Sequence, residues 1–186
     1  DAIEEITGHR PEFFHVNIDD AKELSAVFEK IGPKAKSVIH FAAKKAVGES
    51  VQKPLDYYRN NLDSLMNLLI EMKNYQVSNL VFSSSCTVYA QPDVCPVSEE
   101  TPRKEAESPY GKTKAIGEDI IRDTSKVQNL KSISLRYFNP IGAHDSAKIG
   151  ELPVGIPNNL VPYITQTAAG VRKELTIFGN DYPTKD

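Results

Sequence analysis

Residues 79–85 read Asn-Leu-Val-Phe-Ser-Ser-Ser, and this stretch decides the fold. A short apolar run that opens at once into polar residues is typical of a buried strand in a parallel sheet. Further segments with this strand-like pattern lie at 13–18, 37–42 and 133–137. Helix-like segments alternate with them, at 20–31, 54–72 and 109–124. This alternation predicts an α/β fold with a doubly wound parallel sheet.

Local chemistry marks where these helices begin and end. Asp20 is predicted to cap the first helix, which Gly32 and Pro33 terminate. Ser108 and Pro109 supply a cap and a first-turn proline for the helix at 109–124. The remaining segments are a proline-rich connection at 91–107, a long loop at 139–158, a helix at 160–170 and a short strand at 175–178.

Composition narrows the class of protein. The 186 residues carry a net charge of -3 without a long run of one sign, which favours neither nucleic acid nor an anionic membrane as a partner. No apolar stretch is long enough to span a membrane, and the beginning of the chain does not resemble a signal peptide. Cys86 and Cys95 fit a reducing compartment, and neither belongs to a paired metal-ligand motif. We therefore expect a cytoplasmic protein without a metal site.

The run Tyr-Gly-Lys-Thr-Lys at 110–114 is the most informative motif for function. Residues four apart on a helix share one face, so Tyr110 and Lys114 are expected to be neighbours. An ammonium about 4 Å from a phenol stabilises the phenolate by roughly 4 kcal/mol at an effective dielectric of about 20, or about three pKa units. Ser85, at a strand end, would then orient a substrate hydroxyl whose proton the tyrosine takes. The same spacing also occurs on ordinary solvated helices, and that interpretation stays open at this point.

The glycines of the chain lack one arrangement that the fold class leads us to look for. None of the ten forms the glycine-rich turn that normally follows the first strand of a dinucleotide-binding domain. No strand-like segment precedes residue 13, and residues 179–186 read as a polar loop. These features predict a sheet that is incomplete at both ends of the chain.

Several longer motifs occur together. They include Phe-Ser-Ser-Ser-Cys-Thr-Val-Tyr at 82–89, Ser-Pro-Tyr-Gly-Lys-Thr-Lys at 108–114 and Leu-Arg-Tyr-Phe-Asn-Pro-Ile-Gly-Ala-His at 135–144, with further matches at 38–58, 155–160 and 177–182. Over nearly the whole chain this set resembles the extended short-chain dehydrogenase/reductase family, and within it the nucleotide-sugar 4-epimerases. The resemblance implies a Rossmann-like, NAD(P)-binding fold. Residues 1–140 would form a partial dinucleotide-binding domain without its first βαβ unit, and 141–186 the truncated start of a nucleotide-sugar-binding domain.

The resemblance implies roles for individual residues. Tyr110 is expected to be the catalytic base, Lys114 to bind the nicotinamide ribose and lower the tyrosine pKa, and Ser85 to be their hydrogen-bonding partner. Positions expected to bind NAD, besides Tyr110 and Lys114, are Asn17, Ile18, Phe41, Lys45, Asn60 and Tyr137. Positions expected to bind the UDP-sugar substrate, besides Ser85 and Tyr110, are Thr87, Asn139, Asn159, Leu160 and Phe178.

The resemblance also implies an activity and an assembly. The family mechanism would interconvert UDP-glucose and UDP-galactose, with NAD as cofactor, by transient oxidation at C4 of the hexose. The helices at 54–72 and 109–124 match those that the family often packs across a two-fold axis, so a homodimer is expected. Asn17 departs from the family's usual aspartate, although its amide oxygen can still accept a hydrogen bond from adenine.

Two alternatives stay open. A nucleotide-sugar 4,6-dehydratase shares the fold and the Tyr/Lys pair, but it needs an acid and a base where this chain has Cys86 and Thr87. A truncated, non-enzymatic product that acts only by interaction is the other alternative, because the phosphate-binding turn is missing from the sequence. On this basis the 186 residues alone are expected to bind NAD weakly and not to turn over.

Overall fold

The computed structural model of the chain describes residues 2–151, 153, 155–157, 159–177, 179 and 181. These residues divide into two compact units, one from residues 13–138 and one from the stretches 1–12 and 139–186. The strands are β1 (Val38–His40), β2 (Asn79–Ser83) and β3 (Lys131–Leu135). The α-helices are α1 (Ala2–Thr7), α2 (Ala21–Ile31), α3 (Val47–Gln52), α4 (Pro54–Tyr58), α5 (Ser64–Asn74), α6 (Pro109–Val127) and α7 (Leu160–Ala168). Short 3-10 helices lie at Gly32–Lys34 and Cys86–Tyr89, and a π-helical turn lies at Arg59–Asp63.

The strands form a parallel sheet in the order β1-β2-β3, which confirms the predicted α/β class. Side chains alternate along a strand, and Leu80 and Phe82 of β2 share the buried face, where they are 2% and 3% exposed. Helices α2, α5 and α6 supply most of the rest of this core, through Leu24, Phe28, Leu65, Leu68, Leu69, Met72 and Ile121. The carboxyl ends of parallel strands meet at one edge of a sheet, and ligands of open α/β sheets bind there.

Helix α2 begins and ends where the sequence predicts. The Asp20 carboxylate accepts hydrogen bonds from the N–H groups of Lys22 at 2.8 Å and Glu23 at 3.1 Å. Gly32 follows the helix in close contact with Tyr75, because a Cβ added at this glycine would lie 2.5 Å from the Tyr75 ring. Gly32 therefore lies at the end of α2, and its missing side chain lets the ring of Tyr75, which follows α5, pack against its backbone.

The helix predicted at 54–72 is present, but it contains a turn that the periodicity does not reveal. Helix α4 passes through the π-helical turn Arg59–Asp63 before continuing as α5 to Asn74. A π turn accommodates an extra residue and is frequent at functional sites. Asn61, within this turn, is buried at 6% exposure, whereas its neighbour Asn60 is half-buried.

Some predicted elements differ in the structure. Residues 13–18 were predicted as a strand, but they form no ladder among the described residues, and Phe13 is 82% exposed. The predicted strand at 175–178 is also wrong for its described part, because residues 175–177 make no strand pairing and Phe178 lies outside the described residues. Helix α6 runs three residues past the predicted end at 124, to Val127. Helices α1 and α3 were not predicted.

Candidate active site

Ser85 lies two residues after the end of β2 and is buried at 7% exposure. Its Oγ accepts hydrogen bonds from the backbone N–H of Thr87 at 3.2 Å and from the Thr87 hydroxyl at 3.0 Å. The bond from the backbone N–H caps the 3-10 helix Cys86–Tyr89. A serine hydroxyl has one proton, and these two bonds do not use it. That proton is left for Tyr110, whose pKa is lowered by hydrogen bonding from the Ser85 side chain.

Tyr110 lies in the first turn of α6, where Ser108 positions it. The Ser108 Oγ accepts a hydrogen bond from the Gly111 N–H at 3.1 Å, and Pro109 is the first residue of the helix. Gly111 is required here, since an added Cβ would lie 3.0 Å from the Ala106 Cβ and 3.3 Å from the Thr87 Cβ. The missing side chain lets the beginning of α6 approach the segment that carries Ser85 and Thr87.

Lys114 is one helical turn after Tyr110 and is buried at 5% exposure. Its Nζ donates to the Ser83 carbonyl at 2.6 Å, and lies 5.1 Å from the centre of the Phe82 ring and 5.8 Å from that of Tyr110. Burial lowers the pKa of Lys114 to about 8. The structure therefore brings Ser85, Tyr110 and Lys114 together at the carboxyl end of β2.

The predicted lowering of the tyrosine pKa is not found. Burial raises the pKa of Tyr110 above its ordinary value, and the hydrogen bond with Ser85 lowers it only in part. The physical reason is the position of the lysine, whose Nζ is held by the Ser83 carbonyl and not by the phenol oxygen. The sequence spacing fixed the helix face of Lys114 but not the acceptor that its ammonium uses.

His40 is a buried neighbour of this site. It is 5% exposed, and its ring centre lies 6.0 Å from that of Phe82. Burial, and then the positive charge of Lys114, lower the pKa of His40 to about 4. The imidazole is therefore neutral near pH 7 and adds no second positive charge beside the lysine.

Asn61 is a polar residue of the site region that the sequence analysis missed. Its side chain exchanges two hydrogen bonds with the backbone of Lys44, at 2.8 and 3.0 Å, and donates a third to the Thr113 hydroxyl at 3.0 Å. Thr113 in turn donates to the Tyr110 carbonyl at 2.7 Å. The π turn, the segment after β1 and the first turn of α6 are thereby joined. An asparagine pair inside a helical pattern gave no signal of this role.

Glu118 is a second missed residue, one turn after Lys114 on α6. It is 8% exposed and accepts hydrogen bonds from Ser84 at 2.5 Å, from Arg136 at 2.7 and 2.9 Å and from Arg103 at 3.3 Å. Burial raises the pKa of Glu118, but the bonds from Arg136 and Ser84 and the two arginine charges outweigh it and hold the pKa below its usual value. The four-residue spacing from Lys114 is the signal that would have placed it on this face.

Residues predicted to bind NAD lie around the same sheet edge or next to α2. Phe41 follows β1 and is 62% exposed, with its ring centre 6.4 Å from that of Tyr137, which follows β3. Lys45 is exposed and Asn60 is half-buried in the π turn. Asn17 and Ile18 precede α2; the Asn17 N–H donates to Glu23 at 2.6 Å, and Ile18 packs against the core.

Apart from Thr87, the remaining predicted substrate residues lie in the other compact unit or outside the described residues. Asn139 is exposed. Asn159 immediately precedes α7 and donates from its amide to Glu151 at 2.6 Å, and Leu160, the first residue of that helix, is 60% exposed. Phe178 lies outside the described residues. Thr87 is thus the member of this group that contacts the Ser85 hydroxyl.

Neither a cluster of metal ligands nor a membrane-spanning helix occurs in the described part of the chain. No group of three or more His, Cys, Asp or Glu side chains is arranged there to hold a metal ion. Among the helices of that part, none combines the length and the apolar character needed to cross a membrane.

Comparison with known sequences gives consistent matches. The model of a family described as GDP-mannose 4,6 dehydratase matches residues 2–186. The UDP-glucose 4-epimerase of Mus musculus is 51% identical over 185 residues, covering 99% of this chain and 53% of that protein. The UDP-glucose 4-epimerase of Bacillus subtilis (strain 168) is 49% identical, with 99% and 54% covered. The chain spans about half the length of the curated relatives it matches.

Solved structures match over the whole chain. The UDP-glucose 4-epimerase from Bifidobacterium longum in complex with NAD+ and UDP superposes with a TM-score of 0.93 at 44% identity, covering 100% of this chain and 55% of that one. The UDP-glucose 4-epimerase from Stenotrophomonas maltophila, with bound NAD and formylated UDP-arabinopyranose, gives 0.92 at 46% identity, with the same coverage of 100% and 55%. The Rossmann-like α/β fold is shared with these proteins.

Proposed function

Because the chain belongs to the extended short-chain dehydrogenase/reductase family, with the GDP-mannose 4,6 dehydratase model matching residues 2–186, we propose that the protein carrying this sequence interconverts UDP-glucose and UDP-galactose. The observation that carries the proposal is the convergence of Ser85, Tyr110 and Lys114 at the carboxyl end of β2. Relatives whose sequences are about 50% identical to this chain are UDP-glucose 4-epimerases, which supports a UDP-hexose as the substrate.

Tyr110 is the group we propose to move the proton. It takes the proton of the hexose 4-hydroxyl in one direction and returns a proton to the 4-keto oxygen in the other. The Ser85 hydroxyl, which keeps its own proton as a donor while it accepts from Thr87, stabilises the phenolate and orients the substrate oxygen. Burial raises the pKa of Tyr110, and hydrogen bonding from Ser85 opposes this rise.

The residues present fit the nicotinamide ribose part of NAD. Lys114 offers a buried amine with three donors, of which the Ser83 carbonyl uses one. Exposed aromatic surface of Phe41 beside Tyr137 suits a flat ring. When bound, NAD supplies the hydride acceptor and donor that the reaction at C4 needs. Lys45 and Asn60 would hold it further along this edge, and Asn17 and Ile18 would hold its adenine.

The substrate contacts rest on the resemblance. We propose that Thr87, which shares the Ser85 hydroxyl, lies beside the hexose. Asn139, Asn159, Leu160 and Phe178 are proposed to contact the diphosphate and uridine. The proposed domain division at residue 140 is close to the boundary between the two compact units at 138 and 139.

A 4,6-dehydratase is the second candidate, because the matching family model carries that description. Elimination of water across C5 and C6 needs a proton donor and acceptor near the hexose. The positions after Ser85 hold Cys86 and Thr87, and the Thr87 hydroxyl already donates to Ser85. These side chains favour the epimerase.

We also propose a homodimer, in keeping with the resemblance. Met66 and Ile70 lie one turn apart on α5 and are 41% and 55% exposed, and Ile116 on α6 is 37% exposed. Such side chains are candidates for burial between two copies. Light scattering of the protein should give twice the monomer mass, and Ile70→Glu should return the monomer mass; a monomeric wild type would contradict the proposal.

A cytoplasmic location is proposed from the unpaired cysteines, and cell fractionation tests it.

The experiment that tests the activity is a product assay. The protein carrying this sequence is incubated with NAD and UDP-galactose, and the nucleotide-sugars are separated by chromatography. UDP-glucose is the expected product, and the reverse reaction should reach the same equilibrium mixture. A 4-keto-6-deoxy sugar would instead establish the dehydratase, and no conversion of either substrate would support the non-enzymatic alternative.

A further inference from the structure

The Glu118 network is a buried set of charges that the proposed chemistry does not use. Glu118 touches neither Tyr110 nor Ser85 in the hydrogen bonds of the structure, yet it receives four donor bonds from Ser84, Arg103 and Arg136. Burying a carboxylate is unfavourable unless it is paired and hydrogen-bonded, and replacement by apolar residues is often neutral or stabilising. A role in placement would account for the presence of such a group at the core side of α6.

Ser84 connects this network to the site. It lies between Ser83, whose carbonyl accepts from Lys114 at 2.6 Å, and Ser85, whose hydroxyl bonds Tyr110. Ser84 is 2% exposed, and its hydroxyl donates to Glu118 at 2.5 Å. A single hydrogen bond therefore fixes the end of β2 against α6 between the two contacts that the site depends on.

Arg136 closes the arrangement from the other side. While two of its nitrogens bond Glu118, a third donates to the Tyr89 hydroxyl at 2.9 Å, and its guanidinium lies 4.8 Å from the Tyr89 ring centre. Tyr89 ends the short 3-10 helix that Ser85 caps. The residues on both sides of Ser85 are thus connected to the Glu118 carboxylate. Ser84, before it, bonds the carboxylate directly, and Tyr89, after it, is connected through Arg136.

We infer that Glu118 is a positioning residue for the proposed reaction, which holds Ser85 and the Ser83 acceptor of Lys114 in register with α6 through Ser84. The inference rests on the proposed function for its catalytic consequence. It predicts that loss of the Ser84 hydroxyl misplaces Ser85 without removing any group that touches substrate or cofactor. Small misplacements of reacting groups lower rates strongly, by up to about a hundredfold for 1 Å.

Ser84→Ala tests the inference cleanly, because Glu118 keeps its bonds to Arg103 and Arg136 and no charge is left unpaired. We expect kcat to fall about tenfold with KM for the UDP-sugar unchanged within about twofold. The acidic limb of the kcat profile, where the rate rises as Tyr110 loses its proton and can act as the base, should move to higher pH, because the Ser85 bond that lowers the pKa of Tyr110 is weakened. A merely structural role would lower the active fraction but leave this profile in place.

Ser125→Ala is the matched control. Ser125 is a half-buried serine on α6, the helix that carries Glu118. Its hydroxyl donates to the Ile121 carbonyl at 2.8 Å, away from Ser84. We expect it to keep the wild-type kcat and pH profile. Equal kcat values and equal profiles for Ser84→Ala and Ser125→Ala would overturn the inference.

A second measurement separates failure of this inference from failure of the proposed function. Hydrogen exchange by mass spectrometry reports the order of residues 83–89 whether or not the protein turns over. We expect faster exchange there in Ser84→Ala than in Ser125→Ala, and exchange at least as fast in Glu118→Gln as in Ser84→Ala, because all four partners of Glu118 are donors and an amide nitrogen cannot accept from them. If the wild type proves inactive, the function fails and exchange alone decides: faster exchange in Ser84→Ala supports the positioning, and unchanged exchange refutes it.

Discussion

The buried imidazole of His40 makes folding stability depend on pH in a way that can be calculated. Folding places this ring at 5% exposure beside Phe82, where burial and the charge of Lys114 lower its pKa from 6.5 to about 4. The unfolded chain therefore binds a proton more readily than the folded chain between these two values. Stability from this group is present above the unfolded pKa and is lost as pH falls through that window.

The magnitude follows from the size of the shift. A difference of about 2.5 pKa units corresponds to about 3 kcal/mol once the pH is below the folded value. By about pH 5 most of it, about 2 kcal/mol, is already lost relative to about pH 7. His40→Phe keeps an aromatic ring against Phe82 and removes the titration. The variant should therefore lose about 2 kcal/mol less than wild type over this interval.

Urea unfolding followed by circular dichroism measures this difference, since the chain contains no tryptophan for fluorescence. The free energy of unfolding is determined for both proteins at about pH 7 and about pH 5. His9→Gln is the matched control, because His9 is exposed and its loss should leave the wild-type pH dependence intact. Parallel pH dependences for wild type and His40→Phe would refute the reasoning, because the imidazole would then titrate alike in both states.

Further substitutions test other contacts. Lys114→Ala should lower kcat at least a hundredfold, whereas Lys112→Ala, which removes an exposed ion pair with Glu105 at 3.0 Å, should stay within about twofold in the same epimerase assay. Gly111→Ala should lower stability by about 1–3 kcal/mol and kcat as well, because the new Cβ would lie 3.0 Å from the Ala106 Cβ. Gly48→Ala, with nothing within 4 Å of the new Cβ, should be neutral or stabilising by up to about 1 kcal/mol in thermal unfolding; equal losses for both glycine variants would contradict the packing argument. Asn61→Leu should destabilise by about 2–3 kcal/mol in urea unfolding, because it leaves the Lys44 backbone groups without their partners, while the exposed Asn74→Leu should change little. An Asn61→Leu protein as stable as wild type would show that these bonds are replaced by others.

Strong local patterns were sufficient for helices α2 and α6, for the three parallel strands and for the common helix face of Tyr110 and Lys114. Asp20 and Ser108 cap their helices as predicted, because a short side chain with an oxygen can accept a hydrogen bond from the unpaired N–H groups of the first helical turn. The apolar run before Ser85 forms the middle strand of the sheet. The Tyr110 to Lys114 spacing placed both residues near the end of that strand, since helical periodicity alone dictates a common face.

Features that depend on tertiary partners were beyond the sequence. The segment 13–18 has the composition of a strand, but a strand is defined by its neighbour, and none pairs with it among the described residues. The π turn that carries Asn61 changes the helix register without changing the apolar periodicity. The predicted lowering of the Tyr110 pKa was wrong, because the four-residue spacing shows that Lys114 shares a helix face with Tyr110 but does not show that its ammonium bonds the Ser83 carbonyl.

The most direct test of the account is the kcat of Tyr110→Phe for conversion of UDP-galactose to UDP-glucose. This substitution removes one oxygen and keeps the ring that packs near the Lys114 amine. A loss of about a thousandfold is predicted, because a positioned general acid or base contributes about a hundredfold to ten-thousandfold to the rate. A kcat within a few-fold of wild type would contradict the assignment of the proton transfer to this phenol.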